Sequence, residues 1–131
     1  MNTDKKEELD SLSERVISAV FEVSNTLGGG FLEKVYQRAL LAELRLRGIG
    51  AKAEASFKVT YKGQAVGEYF ADLLVEDVLV VELECVEGLS GEHFAQCLNY
   101  LRASGRSVCL LVNFYRPKVE WKRVVHGFPD L

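Results

Sequence analysis

The sequence has few residues of the kinds that build disulfide-rich or membrane proteins. Its three cysteines, Cys85, Cys97 and Cys109, are odd in number and lack a CxxC spacing, so neither a disulfide framework nor a zinc site is indicated. No apolar run reaches the roughly 18 residues of a membrane span. The polar N-terminus MNTDKKEELD lacks the apolar core of a signal peptide. We therefore expect a cytoplasmic protein without a membrane partner.

Positive charge is missing from a long central segment. Between residues 68 and 92 there is no lysine or arginine, whereas eight acids occur there: Glu68, Asp72, Glu76, Asp77, Glu82, Glu84, Glu87 and Glu92. A basic segment follows, with Arg102, Arg106, Arg116, Lys118, Lys122 and Arg123. The net charge of −3 argues against a generic nucleic-acid-binding surface. The acidic segment favours a cation site and the basic one a polyanion, with two solvated faces as the alternative.

The hydrophobic pattern predicts one domain over residues 1–131 with the element order α-α-β-β-β-α-β-β. Apolar residues at steps of three and four predict a first helix that ends at the GGG of residues 28–30. A second helix is predicted from about Phe31 to Arg47, with one face formed by Phe31, Val35, Ala39, Ala42 and Leu46. Ser90 and Gly105 are predicted to bound a third helix. The strands on either side of that helix should be parallel, because they form a β-α-β crossover.

The strand VVELEC contains two acids, Glu82 and Glu84, whose side chains point to the same face because strand residues alternate. Two like charges on a half-buried face are costly unless a cation neutralises them. The hairpin loop decides where Asp72 lies. A two-residue loop places it opposite Val81 and away from Glu82, whereas a three-residue loop or a bulge places it opposite Glu82. Only the second register gathers the three acids.

The predicted third helix carries a polar stripe. His93, Gln96 and Tyr100 are spaced i, i+3 and i+7, so they share one face of the helix. The core side is predicted to consist of Phe94, Leu98 and Leu101. On one interpretation the stripe faces the acidic strand. On the other, its residues are ordinary surface or core side chains.

Several of these motifs together resemble a known family. GFLEKVY, with Gly30, Glu33 and Tyr36, resembles the signature of the bacterial GxxExxY family, and ADLLVED, VVELECVE and HFAQCLNYL resemble further motifs of that family in the same order. The family is placed in the PD-(D/E)xK nuclease superfamily. The resemblance implies a restriction-endonuclease-like α/β fold. In it, a mixed β-sheet is flanked by helices, and an extra N-terminal helix precedes an α-β-β-β-α-β core.

The resemblance also implies a site. Glu33, Asp72 and Glu82 would hold Mg²⁺ or Mn²⁺, which prefer oxygen ligands. Gln96 and Tyr100 match the QxxxY pattern of exonuclease-like branches, and the expected catalytic residues are Asp72, Glu82, Glu84, His93, Gln96 and Tyr100. One position departs from the family, because Glu84 stands where a lysine is expected to orient water and offset phosphate charge. Some restriction-type members carry Glu there, and a second carboxylate can act as general base or bind a second metal.

The function expected from this resemblance is metal-dependent phosphodiester hydrolysis of nucleic acid, with DNA favoured over RNA. The alternative is a catalytically inactive nuclease fold that serves as a nucleic-acid-binding or regulatory module. The absent lysine favours this alternative. A third reading is a small-molecule or protein-interaction domain whose acids form a solvated edge. Because a domain this small covers few phosphates alone, a homodimer is a further expectation.

Overall fold

The computed structural model describes residues 3–115 and 118–127, and its elements follow the predicted order. The elements are α1 (Thr3–Leu27), α2 (Glu33–Leu46), β1 (Ala51–Tyr61), β2 (Gln64–Val75), β3 (Leu79–Glu84), α3 (Gly91–Ser104), β4 (Val108–Asn113) and β5 (Glu120–Val125). They build a five-stranded sheet in the order β1-β2-β3-β4-β5. Strands β3 and β4 are parallel, as the crossover predicts, and the other neighbours are antiparallel. The predicted mixed α/β fold is confirmed.

Helices cover both faces of the sheet. Helices α1 and α2 pack on the face that contains Leu73, Val81 and Leu110, and α3 packs on the face that contains Leu74, Val80 and Leu111. All six residues of β4 are buried, as its continuous apolar run predicts. None of the helices in the described residues is long and apolar enough to cross a membrane. Arg116, a member of the basic segment, lies outside the described residues.

The buried face of α2 is not the apolar face named from the sequence pattern. Its core residues are Tyr36, Gln37, Leu40 and Leu44, whereas Phe31, Val35 and Leu46 of the predicted face are exposed. The Tyr36 ring stacks on Phe114 with centroids 4.5 Å apart, and its hydroxyl donates to the Gly28 carbonyl at 2.6 Å. Helix α2 has apolar side chains on two faces, and these contacts with the sheet and the preceding loop determine which face is buried.

The β2–β3 turn decides the register that the sequence left open. The Val78 N–H donates to the Val75 carbonyl at 3.0 Å, and pairing resumes with Val75 opposite Leu79, so three residues separate the paired positions. Glu76 and Asp77 adopt left-handed conformations with φ of 50° and 61°. Extending this register by one residue places Asp72 opposite Glu82.

A candidate carboxylate centre between β2 and β3

Asp72 and Glu82 bridge the two strands with their side chains. The Asp72 N–H donates to Glu82 Oε1 at 3.1 Å, and the Leu83 N–H donates to Asp72 Oδ2 at 2.8 Å. The described backbone ladder of β2 and β3 reaches only the pair Leu73–Val81. Beyond that pair, these two carboxylates take over the cross-strand hydrogen bonds, which holds them face to face.

Burial raises the pKa values of the acids of this centre, and the charge of Asp72 adds to the effect at Glu33, Glu82 and Glu84. Burial raises the pKa of Glu82 to about 10, and the charge of Asp72 adds to the effect. Burial also raises the pKa of Asp72 and of Glu84. Glu33 is exposed at the first turn of α2, yet partial burial of its carboxyl group and the charges of Asp72 and Glu84 raise its pKa to about 7. The structure therefore brings Glu33, Asp72, Glu82 and Glu84 into one electrostatically coupled cluster.

Helix α2 and strand β1 add three residues that the sequence did not single out. Gln37 is buried, and its amide donates to the Asp72 carbonyl at 2.9 Å and to Glu54 Oε1 at 3.0 Å. Lys34 Nζ lies 2.7 Å from the same Glu54 oxygen. Both bonds lower the pKa of Glu54. Nothing in the local sequence pattern marks these residues, because their partners lie 17 to 35 positions away.

His93 faces Glu84 from the start of α3. Its Nε2 lies 3.8 Å from Glu84 Oε2, and its Nδ1 accepts the Ser90 N–H at 2.9 Å. Because Nδ1 is an acceptor, the neutral ring carries its hydrogen on Nε2, on the side of Glu84. When the His93 ring is protonated, its positive charge lowers the pKa of Glu84, against the effect of burial. Ser90 is the helix N-cap and Gly105 the C-cap, as predicted.

The polar stripe of α3 is only partly as predicted. Tyr100 is buried, and burial and the nearby Glu82 carboxylate raise its pKa, so its hydroxyl stays protonated. Gln96 is exposed, and its amide donates to the Tyr100 hydroxyl at 3.1 Å. The core side consists of Cys97, Tyr100 and Leu101, whereas Phe94 and Leu98 are only half-buried. Gln96 thus contacts Tyr100 directly, and Tyr100 lies between it and the acids.

Two described residues of the basic segment pair with acids outside the carboxylate cluster. Arg106 Nη2 lies 2.9 Å from Asp77 Oδ1, before the start of β3, whereas Glu82 and Glu84 lie at its end. Arg123 pairs with Asp10 of α1. Two of the predicted polyanion-binding residues therefore tie the fold together.

The donor set has the chemistry of a hard-cation site. Four carboxylates interact electrostatically here, and oxygen ligands of this kind suit Mg²⁺, Mn²⁺ or Ca²⁺ rather than softer metals. Within residues 3–115 and 118–127, no group of three or more His, Cys, Asp or Glu side chains is arranged to hold a metal ion as it stands. One oxygen of Asp72 and one of Glu82 are instead held by backbone N–H groups. The residues thus fit a divalent cation by chemistry, and binding requires Glu82 to lose its proton.

Comparison with known proteins agrees with this fold. The sequence matches the family model of the PD-(D/E)XK nuclease superfamily over residues 10–124. None of the curated proteins compared with the chain matches it. The crystal structure of SSO0001 is similar, with a TM-score of 0.58 and 16% identity over 73% of this chain and 50% of that chain.

An alkaline exonuclease, LHK-Exo from Laribacter hongkongensis, is also similar in structure. The TM-score is 0.52 at 17% identity, over 72% of this chain and 55% of that chain. The matched part is therefore about half the length of each solved structure. At these identities the two likenesses establish the fold.

Proposed function

The chain belongs to the PD-(D/E)XK nuclease superfamily, and from this premise we propose that it is a nuclease that hydrolyses phosphodiester bonds with the help of a divalent metal ion. Nucleases of this superfamily generally use such ions. The observation that carries the proposal is the coupled cluster of Glu33, Asp72, Glu82 and Glu84, in which burial and mutual repulsion raise the pKa values. A divalent cation removes that repulsion.

In this proposal Asp72 and Glu82 hold the ion, and Glu33 joins them from α2. A bound Mg²⁺ or Mn²⁺ supplies Lewis-acid polarisation of the phosphoryl oxygen. Glu84 accepts the proton of the attacking water, since its raised pKa makes it a stronger base than an ordinary carboxylate. The water oxygen bonds to phosphorus, the P–O ester bond breaks, and the leaving oxygen takes a proton from solvent.

The α3 residues position the participants. His93 faces Glu84 with its Nε2 at 3.8 Å and stabilises the charged carboxylate when the ring is protonated, while its Nδ1 is fixed by the Ser90 N–H. Tyr100 keeps its hydroxyl proton and so can donate to a phosphate oxygen, and Gln96 holds that hydroxyl. Tyr100 and Gln96 act as hydrogen-bonding groups held in place by each other, and groups of fixed orientation are how enzymes stabilise charge that develops in the transition state.

We also propose membership of the GxxExxY family, because its motif has a structural use in this chain. The Tyr36 hydroxyl donates to the Gly28 carbonyl and accepts the Phe31 N–H at 3.3 Å, which fixes the loop in front of Glu33. The remaining proposals are a single nuclease domain over residues 1–131, DNA in preference to RNA as substrate, and a homodimer. The exonuclease activity in the name of LHK-Exo supports the choice of nucleic acid.

A second candidate is an inactive nuclease fold that binds nucleic acid. The observation in its favour is Glu84, which occupies the position of the superfamily's lysine. A cleavage assay distinguishes the active nuclease from the inactive fold. It uses labelled single- and double-stranded DNA and RNA in Mg²⁺, Mn²⁺ or EDTA.

We expect metal-dependent cleavage by the wild type and by the control Glu14→Ala, an exposed acid of α1. Asp72→Ala and Glu82→Ala should each lower the rate of metal-dependent cleavage by about 100-fold or more. Cleavage that survives these two substitutions contradicts the proposal. If the wild type cleaves nothing, the inactive candidate is correct, and Glu84→Lys then tests whether the absent lysine is the cause.

A further inference from the structure

With Glu84 in the lysine position, β3 carries no cationic side chain beside the proposed metal ligands, which raises the question of whether another element supplies one. Lys34 lies next to Glu33 on α2, and its charge lowers the pKa of Glu33 and of Asp72. Its Nζ is 2.7 Å from Glu54 Oε1. The side chains of Lys34 and Glu54 remain 54% and 49% exposed, so the ammonium group stays accessible to a ligand at the edge of the cluster.

Glu54 is held in place by an unusual backbone conformation. Its φ is 56°, in the left-handed region, and it falls in a gap of the β1–β2 ladder between the pairs Ala53–Leu73 and Ala55–Ala71. A non-glycine residue adopts this conformation inside a strand only where its surroundings hold it. Gln37 supplies part of that support by donating to both Glu54 Oε1 and the Asp72 carbonyl. The left-handed conformation thus directs the Glu54 carboxylate toward Lys34 and Gln37 of α2, at the level of Asp72.

We propose that Lys34 is the phosphate-binding cation of this site, in place of the lysine that Glu84 displaces, and that Glu54 is its positioning residue. This rests on the nuclease function proposed above. The flexible lysine stem lets the ammonium group move from Glu54 to a phosphate oxygen beside the carboxylates. The ligand recognised is the backbone phosphate of the nucleic acid. An ordinary surface ion pair is the competing explanation, since exposed pairs contribute little to stability.

The kinetic test compares Lys34→Ala, Lys34→Arg and Glu54→Gln with the control Lys6→Ala. Lys6 is a matched control because it also pairs with an acid, Asp10, at 2.9 Å and is partly exposed. Lys34→Ala should lower kcat by about 100-fold, the size of effect seen when one transition-state donor is removed. Lys34→Arg should recover part of the loss because it restores the charge, Glu54→Gln should lower kcat by less, and Lys6→Ala should match the wild type.

A second readout does not depend on cleavage. Fluorescence anisotropy with a short labelled DNA oligonucleotide in EDTA measures Kd as a function of salt concentration. Loss of one phosphate contact reduces the slope of log K against log salt by about 0.7 for a single strand or about 0.9 for a duplex. Lys34→Ala should show this reduction, whereas Lys6→Ala and Glu54→Gln should keep the wild-type slope.

The experiments can contradict the nuclease function and the Lys34 proposal independently of each other. If the wild type does not cleave but Lys34→Ala still reduces the salt slope, the nuclease function is wrong and the phosphate contact stands. If Lys34→Ala matches Lys6→Ala in both kcat and slope, or if the wild type does not bind the oligonucleotide, the Lys34 proposal is overturned.

Discussion

Glu82 is 4% exposed, and a carboxylate buried to that extent is stable only with a proton or a cation. Its Oε1 accepts the Asp72 N–H, and the charge of Asp72 raises its pKa further. In the absence of metal Glu82 is therefore neutral at physiological pH and shares the space between β2 and β3 with Asp72. The protonation of this residue connects the stability of the fold to the occupancy of the proposed site.

The pH dependence of stability follows from Glu82. Its pKa in the folded state, about 10, lies above the ordinary value of 4.5, so the folded state keeps a proton that the unfolded state has released. The free energy of unfolding in EDTA should therefore fall as pH rises between about 5 and 10, by at most about 1.4 kcal/mol per pH unit. The exposed Glu33 contributes less to this pH dependence, because solvent screens its charge. Denaturant unfolding from pH 5 to 9 measures this.

Glu82→Gln is the matched variant for that measurement. Its amide is neutral at every pH and has the shape of the protonated carboxyl group, so most of the pH dependence should disappear. A wild-type stability that is flat or rises over this range would contradict the pKa assignment.

Local pattern predicts some residues of the site and not others. The alternation of β3 predicts that Glu82 and Glu84 share a face, and the GxxExxY resemblance points to Glu33. Gln37, Glu54 and Lys34 were missed, because their placement depends on the left-handed conformation at Glu54 and on contacts between α2 and β1. A glutamate in a strand gives no signal that its backbone is left-handed.

At the level of elements, the order of helices and strands was predictable and the choice of faces was not. Helix caps and turns carry direct signals such as Ser90, Gly105 and the Lys62–Gly63 turn, where φ is 49° and 82°. The β2–β3 register depends on one extra residue in the turn, and the sequence allowed both loop lengths. Which face of α2 is buried was not predicted, because two faces carry apolar side chains.

The C-terminus of α3 offers a test at this level. Gly105 adopts φ of 72° at the helix C-cap, and a Cβ added there would meet nothing within 4 Å. Gly105→Ala should therefore destabilise the protein through backbone conformation alone, by about 1–2 kcal/mol. The control is Gly67→Ala in β2, where a Cβ would also meet nothing and φ is not positive. We expect it to be neutral or slightly stabilising.

Thermal or urea unfolding compares the two variants. Equal stability of Gly105→Ala and Gly67→Ala would mean that the left-handed cap does not contribute to the fold of α3, which carries His93 and Tyr100.

On the scale of the whole molecule, the sheet separates two hydrophobic cores. Helices α1 and α2 and the face below them supply the larger core, and α3 covers the other face. The carboxylates gather where β2 and β3 stop sharing backbone hydrogen bonds, so residues of α2, β2, β3 and α3 meet there. Because the site takes residues from these four elements, it forms only when they are packed together. Metal binding should therefore occur only in the folded protein.

Calorimetric titration of the protein with Mg²⁺ or Mn²⁺ at pH 7 tests the central claim most directly. Repeating the titration in two buffers of different ionisation enthalpy gives the number of protons released. The account predicts saturable binding with release of between about one and two protons per ion, one from Glu82 and the rest mainly from the partly protonated Glu33, because metal ligands must be deprotonated. Asp72→Ala should abolish binding. Absence of saturable binding by the wild type, or equal binding by Asp72→Ala, would contradict the assignment of these carboxylates to a metal site.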